Sequence, residues 1–426
     1  MSDAVVPAFS MAERDRRWDL ARAFMDREGL DALLVFGEHE DAGPAPFAYD
    51  TWFTNGRAGT TVIFPRGGDP VVLFPMEMFA RDHLESTRRG DTMWVPPRGI
   101  RSQRRDSHAI AATLDELGLA EKTIGVVGLD VYPPWHPEGI VPYGLWNNIL
   151  ERFPGADFRP VALALSRVVM PLGPEEIAVV RHSAGIGDAM ARAMVGTAAA
   201  GVSESEVYAA GMHAGYARGT VPAAMHFWSG PAPLASGLPQ WGYRPQAPRI
   251  LRDGDVISAE VFCNFGGRHT QHQVTITIGE PHVNLLRAAK VARAAYDAGL
   301  AALRPGRTFG DVVDAMREPL DAADGWEFGP SVHALNPAVT LSGFPADAGR
   351  NIAGSEAYPP EADHPTINGD LELRPGMTFA FEPNYAFGQH LAYIGGTVVV
   401  GEEGAVELNP YTARILRAAG AVTPAA

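Results

Sequence analysis

The chain has 426 residues, 46 % of them apolar and 20 % charged, which is enough for two folded domains and too much for one ordinary core. Its formal charge of −15, from 35 basic and 50 acidic residues, repels nucleic acid and anionic membrane, so neither is expected as a partner. The single cysteine, Cys263, excludes an intramolecular disulfide and fits a reducing cytoplasm; no apolar signal core and no uninterrupted apolar run of about 18 residues is present, so neither a signal peptide nor a membrane span is expected.

Ser10-Met-Ala-Glu13 predicts a capping box that opens an amphipathic helix to about Arg27. The apolar run Asp31–Phe36 predicts a strand, and the β-branched runs 60–64 and 70–74 predict a hairpin around Arg66-Gly-Gly-Asp69. Helical patterns at 76–88, 107–118 and 141–152 then alternate with strand patterns at 92–95, 123–129 and 158–162, which implies a mixed α/β domain. Met170-Pro-Leu-Gly-Pro174 breaks this pattern. Pro174, with Glu175 and Glu176 in the first turn, starts a helix to about Val195. The expected domains are therefore 1–170 and 171–426.

The second half echoes itself. Gly201–Val207 and Pro305–Val312 each join two helices, and each carries a capping pair, Ser203 with Glu206 and Thr308 with Asp311. A repeated helix–turn–helix suggests pseudo-twofold symmetry, although two unrelated helices with ordinary start signals would read the same way. Arg252-Asp-Gly-Asp255 is a turn that launches the strand Val256–Glu260, and a second strand returns from about His269 to Ile278. Leu373-Arg-Pro-Gly376 launches Met377–Pro383, and Tyr393–Val400 is a final strand. The Pro- and Gly-rich segment 336–370 reads as a long loop that either shapes the site or elaborates the surface.

Asp253-Gly-Asp-Val-Ile-Ser258, Leu373-Arg-Pro-Gly-Met377 with Phe381-Glu-Pro383, and Thr397–Gly404 resemble, in order and spacing, the catalytic domain of the creatinase/aminopeptidase P family. The first half resembles that family's amino-terminal domain. The resemblance implies an α/β fold of two domains, the second a pseudo-twofold "pita-bread" domain. Metal-bearing members hold two cations with two aspartates, a histidine and two glutamates. Carried over, these positions fall on Glu260, Gln271, His333, Glu382 and Gly395. Gln271 is a poor ligand and Gly395 offers none, so a two-metal centre is not expected. A single Mn, Zn or Co ion on Glu260, His333 and Glu382 is the alternative.

The resemblance is closest in character to metal-independent creatinase. It implies that Arg57, in Asn55-Gly-Arg-Ala-Gly, reaches across a homodimer to a substrate carboxylate. A solvated turn arginine would give the same pattern. Creatinase's catalytic histidine falls on Tyr243, its second-strand glutamate on Gln273 and a further histidine on Thr340, so creatine hydrolysis is not carried over.

Glu382 in Phe379-Ala-Phe-Glu and Glu260 in Ile257-Ser-Ala-Glu are carboxylates in apolar strands. Such groups must be paired or protonated, which suits acid/base work. His333 and His226 are the expected proton carriers. Trp228, Trp241 and Tyr243 are expected to form an aromatic substrate wall, with Gln271 and Gln273 beside it; core packing is the plain rival for the aromatics. The expected function is metal-independent hydrolysis of a C–N bond in a small molecule. A single-metal Xaa-Pro peptidase, a lyase and a non-catalytic binding protein stay open.

Overall fold

The structure is a computed structural model and describes residues 6–37, 49–101, 106–130, 139–220, 225–234, 237–344, 357 and 364–419. The chain divides into two compact units, Met1–Glu175 and Glu176–Ala426.

The first unit is built on strands β1 (Ala32–Phe36), β2 (Thr61–Pro65), β3 (Val71–Leu73), β4 (Ile100–Arg101), β5 (Thr123–Val127) and β6 (Asp157–Pro160), in the order β4-β3-β2-β1-β5-β6. Helices α1 (Met11–Glu28), α2 (Tyr49–Thr54), α3 (Glu77–Arg89), α4 (Ser107–Glu116), α5 (Tyr143–Arg152) and α6 (Ala162–Val169) complete it. Leu34, Ile63, Ile124 and Val126 from the sheet bury against Ile110, Leu114 and Ile149 from α4 and α5.

Two local expectations fail here. Ser10 does cap α1, accepting from Glu13 N at 3.2 Å, but Glu13 does not close a capping box. Its carboxylate takes Arg16 and the buried Arg17 at 2.8 Å, while Glu175 takes the Ser10 N–H and hydroxyl at 2.8 and 2.7 Å. The run 92–95 is not a strand. Trp94 and Val95 are buried from a loop, with the Arg17 guanidinium over the Trp94 ring and Phe9 tilted against it.

The second unit contains α7 (Pro174–Thr197, which begins at the unit boundary), α8 (Glu204–Tyr216), α9 (Val283–Ala302) and α10 (Phe309–Asp321). Its strands are β7 (Met225–Gly230), β8 (Val256–Phe265), β9 (Arg268–Thr277), β10 (Trp326–Glu327), β11 (Val332–Leu335), β12 (Thr378–Phe381), β13 (Tyr385–Phe387), β14 (His390–Ala392), β15 (Gly396–Val400), β16 (Ala405–Glu407) and β17 (Leu416–Arg417). They form sheets β17-β9-β8-β7, β11-β12-β15-β16 and β10-β13-β14.

The internal echo is a real structural repeat. Both capping boxes form, Ser203 with Glu206 at α8 and Thr308 with Asp311 at α10. Both capping residues also bridge the segment leading into the next turn, Ser203 to Ile250 and Thr308 to Glu372. Gly201 N donates to Leu251 O at 2.8 Å, and Gly306 N to Leu373 O at 3.0 Å. Each half thus ties its helix pair to its central hairpin in the same way. The middle of the segment 336–370 lies outside the described residues; its ends meet through the Phe344–His364 bridge. No helix among the described residues is long and apolar enough to cross a membrane.

Candidate active site

Strand alternation decides which side chains meet. Met225 and Phe227 of β7, Ile257, Ala259, Val261 and Cys263 of β8, and Val274 and Ile276 of β9 form one core with Met190, Met194 and Val207 from the helices. The residues between them turn to the other face. Register puts His226, Glu260 and Gln273 on one rung, Trp228, Ser258 and Thr275 on the next, and Phe262 opposite Gln271. Glu382 follows directly on β12, and His333 on β11 pairs with Ala380 of β12.

Two histidine–carboxylate pairs result. His226 Nδ1 stands 2.9 Å from Glu260 Oε2, with side chains 35 % and 12 % exposed. A carboxylate oxygen accepts, so Nδ1 is the donor in this contact. The second pair is deeper: His333 Nε2 lies 3.2 Å from Glu382 Oε1, with side chains 7 % and 5 % exposed.

Glutamine amides complete the second pair. Gln271 Nε2 donates to Glu382 Oε2 at 2.8 Å, and Gln273 Nε2 donates to the same oxygen. Gln271 Oε1 faces His333 Nε2 at 3.0 Å, so its amide is oriented donor to carboxylate and acceptor to imidazole. His333 Nδ1 faces the Ala334 carbonyl at 2.9 Å. Both ring nitrogens therefore meet oxygen acceptors, an arrangement that favours the doubly protonated imidazolium of His333.

The titration directions agree. Burial pulls His333 down, but the Glu382 charge and hydrogen bond, the Ala334 carbonyl and Glu260 outweigh it, and the net shift is upward. Burial pushes Glu382 up and Glu260 adds to this, while His333 and the Gln273 amide pull back, again with a net upward shift. The charged pair thus occupies a window that starts above the ordinary carboxylate range and ends above the ordinary imidazole range.

This arrangement does not fit a pair of divalent cations. A cation needs a lone pair on His333 Nε2, where a proton points at two oxygens, and Glu382 is already taken up by two amides and an imidazolium. The fifth ligand position is closed by the backbone itself. Gly395 has φ +147°, and a Cβ there would lie 1.9 Å from Phe381 O. Its carbonyl accepts from Gln273 N at 3.3 Å.

The structure gathers Glu260, Gln271, Gln273, His226, His333, Glu382 and Trp228 in one region of the second unit. It does not bring Trp241 to the face of Trp228: Trp241 packs edge-on against Phe227 and Tyr208, on the opposite side of β7. Tyr243 stands 60 % exposed beyond the turn at 240–242. The expected aromatic wall therefore reduces to Trp228. Thr340 is buried and donates to Ile367 O. His272 faces the core, between the Ala184 and Val261 carbonyls at 3.1 and 3.3 Å. Arg57 is in the first unit, its guanidinium 3.7 Å over the Phe79 ring, in an open groove of about 830 Å³.

Two residues were given no site role in the sequence reading. Ser258 sits one rung from Glu260, and the alternation of Val256–Phe265 would have put it there. Glu327 on β10 is a buried carboxylate opposite Tyr385; burial pushes it up to about 7, Arg317 pulling down and Asp321 pushing up. No local pattern marks it, since its burial comes from distant packing.

Residues 178–403 match the profile of Metallopeptidase family M24. A relative described as "Probable dipeptidase PepE", from Mycobacterium tuberculosis (strain ATCC 25618 / H37Rv), is 31 % identical over 173 residues, which are 40 % of each chain. The match thus spans well under two thirds of that relative's length. Among solved structures, dipeptidase PepE from Mycobacterium ulcerans superposes with TM-score 0.68 and 20 % identity, over 96 % of this chain and 99 % of that one. X-Pro aminopeptidase from Thermotoga maritima MSB8 gives TM-score 0.70 and 16 % identity, over 94 % and 99 %. These likenesses show the fold, and the pita-bread architecture expected from sequence is the one observed.

Proposed function

The chain belongs to metallopeptidase family M24, and from that premise we propose that it hydrolyses a C–N bond in a small molecule by acid/base catalysis without a resident metal. The observation that carries this reading is the His226–Glu260 pair, 2.9 Å apart with its imidazole about a third exposed, beside a nearly sealed His333–Glu382 pair held by two glutamine amides. Glu260 orients His226 through Nδ1. His226 Nε2 then takes a proton from a water whose oxygen bonds the substrate carbon, and returns it to the nitrogen that leaves as the C–N bond breaks. The His333 imidazolium, anchored by Glu382 and Gln271, opposes the negative charge that develops on the substrate oxygen.

The relatives named as dipeptidases and aminopeptidases support an amide-type bond as the target, and the acidic surface supports a small-molecule partner rather than nucleic acid or membrane. Arg57 from a second copy of the chain is assigned to an acidic group of the substrate; its exposure and planar donor fork support this, and a clean monomer in light scattering would rule it out. The lone buried Cys263 supports a cytoplasmic setting.

The family description favours a second reading, a single divalent cation on Glu260, His333 and Glu382 in a peptidase of the Xaa-Pro sort. It requires His333 to shed the Nε2 proton and turn from Gln271. The test is hydrolysis of N-carbamoyl and N-acyl amino acids and of dipeptides, with and without chelator and added Mn, Zn or Co. Turnover that survives chelation supports the metal-free reading; turnover only with added metal supports the second.

A further inference from the structure

On the sheet face that carries His226 and Glu260, the neighbouring rung is Trp228, Ser258 and Thr275. Thr275 is saturated: its hydroxyl donates to Tyr393 O and accepts from Tyr393 N, both at 2.8 Å. Trp228 Nε1 and Ser258 Oγ are different. Both are buried and have no hydrogen-bond partner among the described residues, and Ser258 is only 3 % exposed. On the rung of Glu260, Gln273 Oε1 is likewise buried without a partner, although its Nε2 is donated to Glu382.

Unmatched buried polar atoms are costly and therefore rare, and three on two adjoining rungs of one sheet face need an explanation. Cross-strand neighbours stand about 5 Å apart and successive same-face residues about 7 Å apart, which is the span of one small organic group. The set also has a polarity. The Trp228 indole is a donor only, the Ser258 hydroxyl donates or accepts, and the Gln273 carbonyl accepts only. The complement is a group with an acceptor oxygen at one end and an N–H at the other.

We propose that Trp228 Nε1–H and Ser258 Oγ–H form a substrate subsite that takes a carbonyl or carboxylate oxygen, with Gln273 Oε1 taking the N–H of the same molecule, so that the substrate is a small molecule carrying an amide or ureide group. This rests on the hydrolytic reading for the identity of the site and deepens it by naming the substrate class. It also changes the role of Trp228. The indole acts through its N–H rather than as a flat wall for a cation.

The test uses the full chain labelled with ¹⁵N-tryptophan, whose indole N–H signals are read by two-dimensional NMR. Trp228→Phe identifies the Trp228 signal; should that variant not fold, the signal perturbed by Ser258→Ala identifies it. The probes are N-carbamoylglycine, N-acetylglycine and glycylglycine. The Trp228 signal is expected to move saturably with at least one of them, and Ser258→Ala to weaken that binding about tenfold, the effect of one lost hydrogen bond. His226→Gln, which removes the proposed base, is expected to leave the shift intact. Binding without turnover would therefore count against the hydrolytic reading and not against the subsite. A Trp228 signal unmoved by all three probes up to their solubility limits overturns the subsite. So does one that keeps a water cross-peak at saturation, which would mean an ordered water only.

Discussion

The second unit holds two histidine–glutamate pairs, and their surroundings differ more than their distances. His226 and Glu260 come from adjacent strands of one sheet, meet at 2.9 Å, and leave the imidazole about a third exposed. His333 and Glu382 meet at 3.2 Å, are nearly sealed, and have two glutamine amides and a backbone carbonyl filling what remains. The same two residue types therefore stand in different surroundings. A half-open histidine with one nitrogen tied to a carboxylate can exchange a proton with a reactant. A buried imidazolium with both nitrogens committed holds a charge in place. Of the positions that the family resemblance assigns to cations, Glu260 here meets His226, while His333, Glu382 and Gln271 close on one another.

Breaking the fixed pair should have the largest effect. Glu382→Ala leaves the His333 charge and two glutamine amides buried without their acceptor, and should cost about 3–5 kcal/mol of unfolding free energy in urea titrations. A cost below about 1 kcal/mol would mean that the pair is not ionised. His226→Gln should do the reverse, lowering kcat by about 10²–10⁴-fold while hardly moving the urea midpoint. A variant that keeps its rate would remove His226 from the chemistry.

The pH dependence of stability sharpens the contrast further. His333 is raised by folding, so its contribution is complete below its ordinary value of 6.5 and is lost as pH climbs through the higher folded value. Glu327 acts with the same sign, because burial lifts it from 4.5 to about 7: the fold binds an extra proton between these values, and stability falls as pH rises through them. Glu382 is also raised and slopes the same way at its own, lower end. Glu327→Gln should therefore raise stability at pH 8 by up to about 3 kcal/mol, leave it little changed at pH 4, and expose the remaining loss above pH 6.5 as that of His333. A wild-type minus Glu327→Gln difference that does not fall between pH 5 and 8 would contradict the Glu327 assignment. Arg57→Ala is the mildest change. It should alter stability by no more than about 0.5 kcal/mol and show itself in KM for acidic substrates alone.

Much of this was legible in the chain. Glu260, Gln271, Gln273 and Glu382 sit in alternating strands whose turns, Asp253-Gly-Asp255 and Arg374-Pro-Gly376, are local signals, and the two capping pairs disclosed the repeat. What stayed hidden depends on contacts far apart in sequence. Glu175 takes the place of Glu13 at the start of α1 from 165 positions away. Trp241 arrives on the wrong side of β7 for a substrate wall because a loop carries it to Phe227. The backbone closure at Gly395, which no residue type announces, depends on Phe381 being directly beneath it. Local chemistry is written in short patterns, whereas pairing across the sheet is decided by the whole unit.

Metal content tests the central claim most directly. Purified protein is dialysed exhaustively, reconstituted separately with Mn, Co and Zn, dialysed again, and measured by elemental mass spectrometry. Two histidine–glutamate pairs in place of a metal centre predict metal at background in every sample. Stoichiometric metal that returns on reconstitution, and is lost in Glu382→Gln, would contradict that claim and make the second pair a cation site.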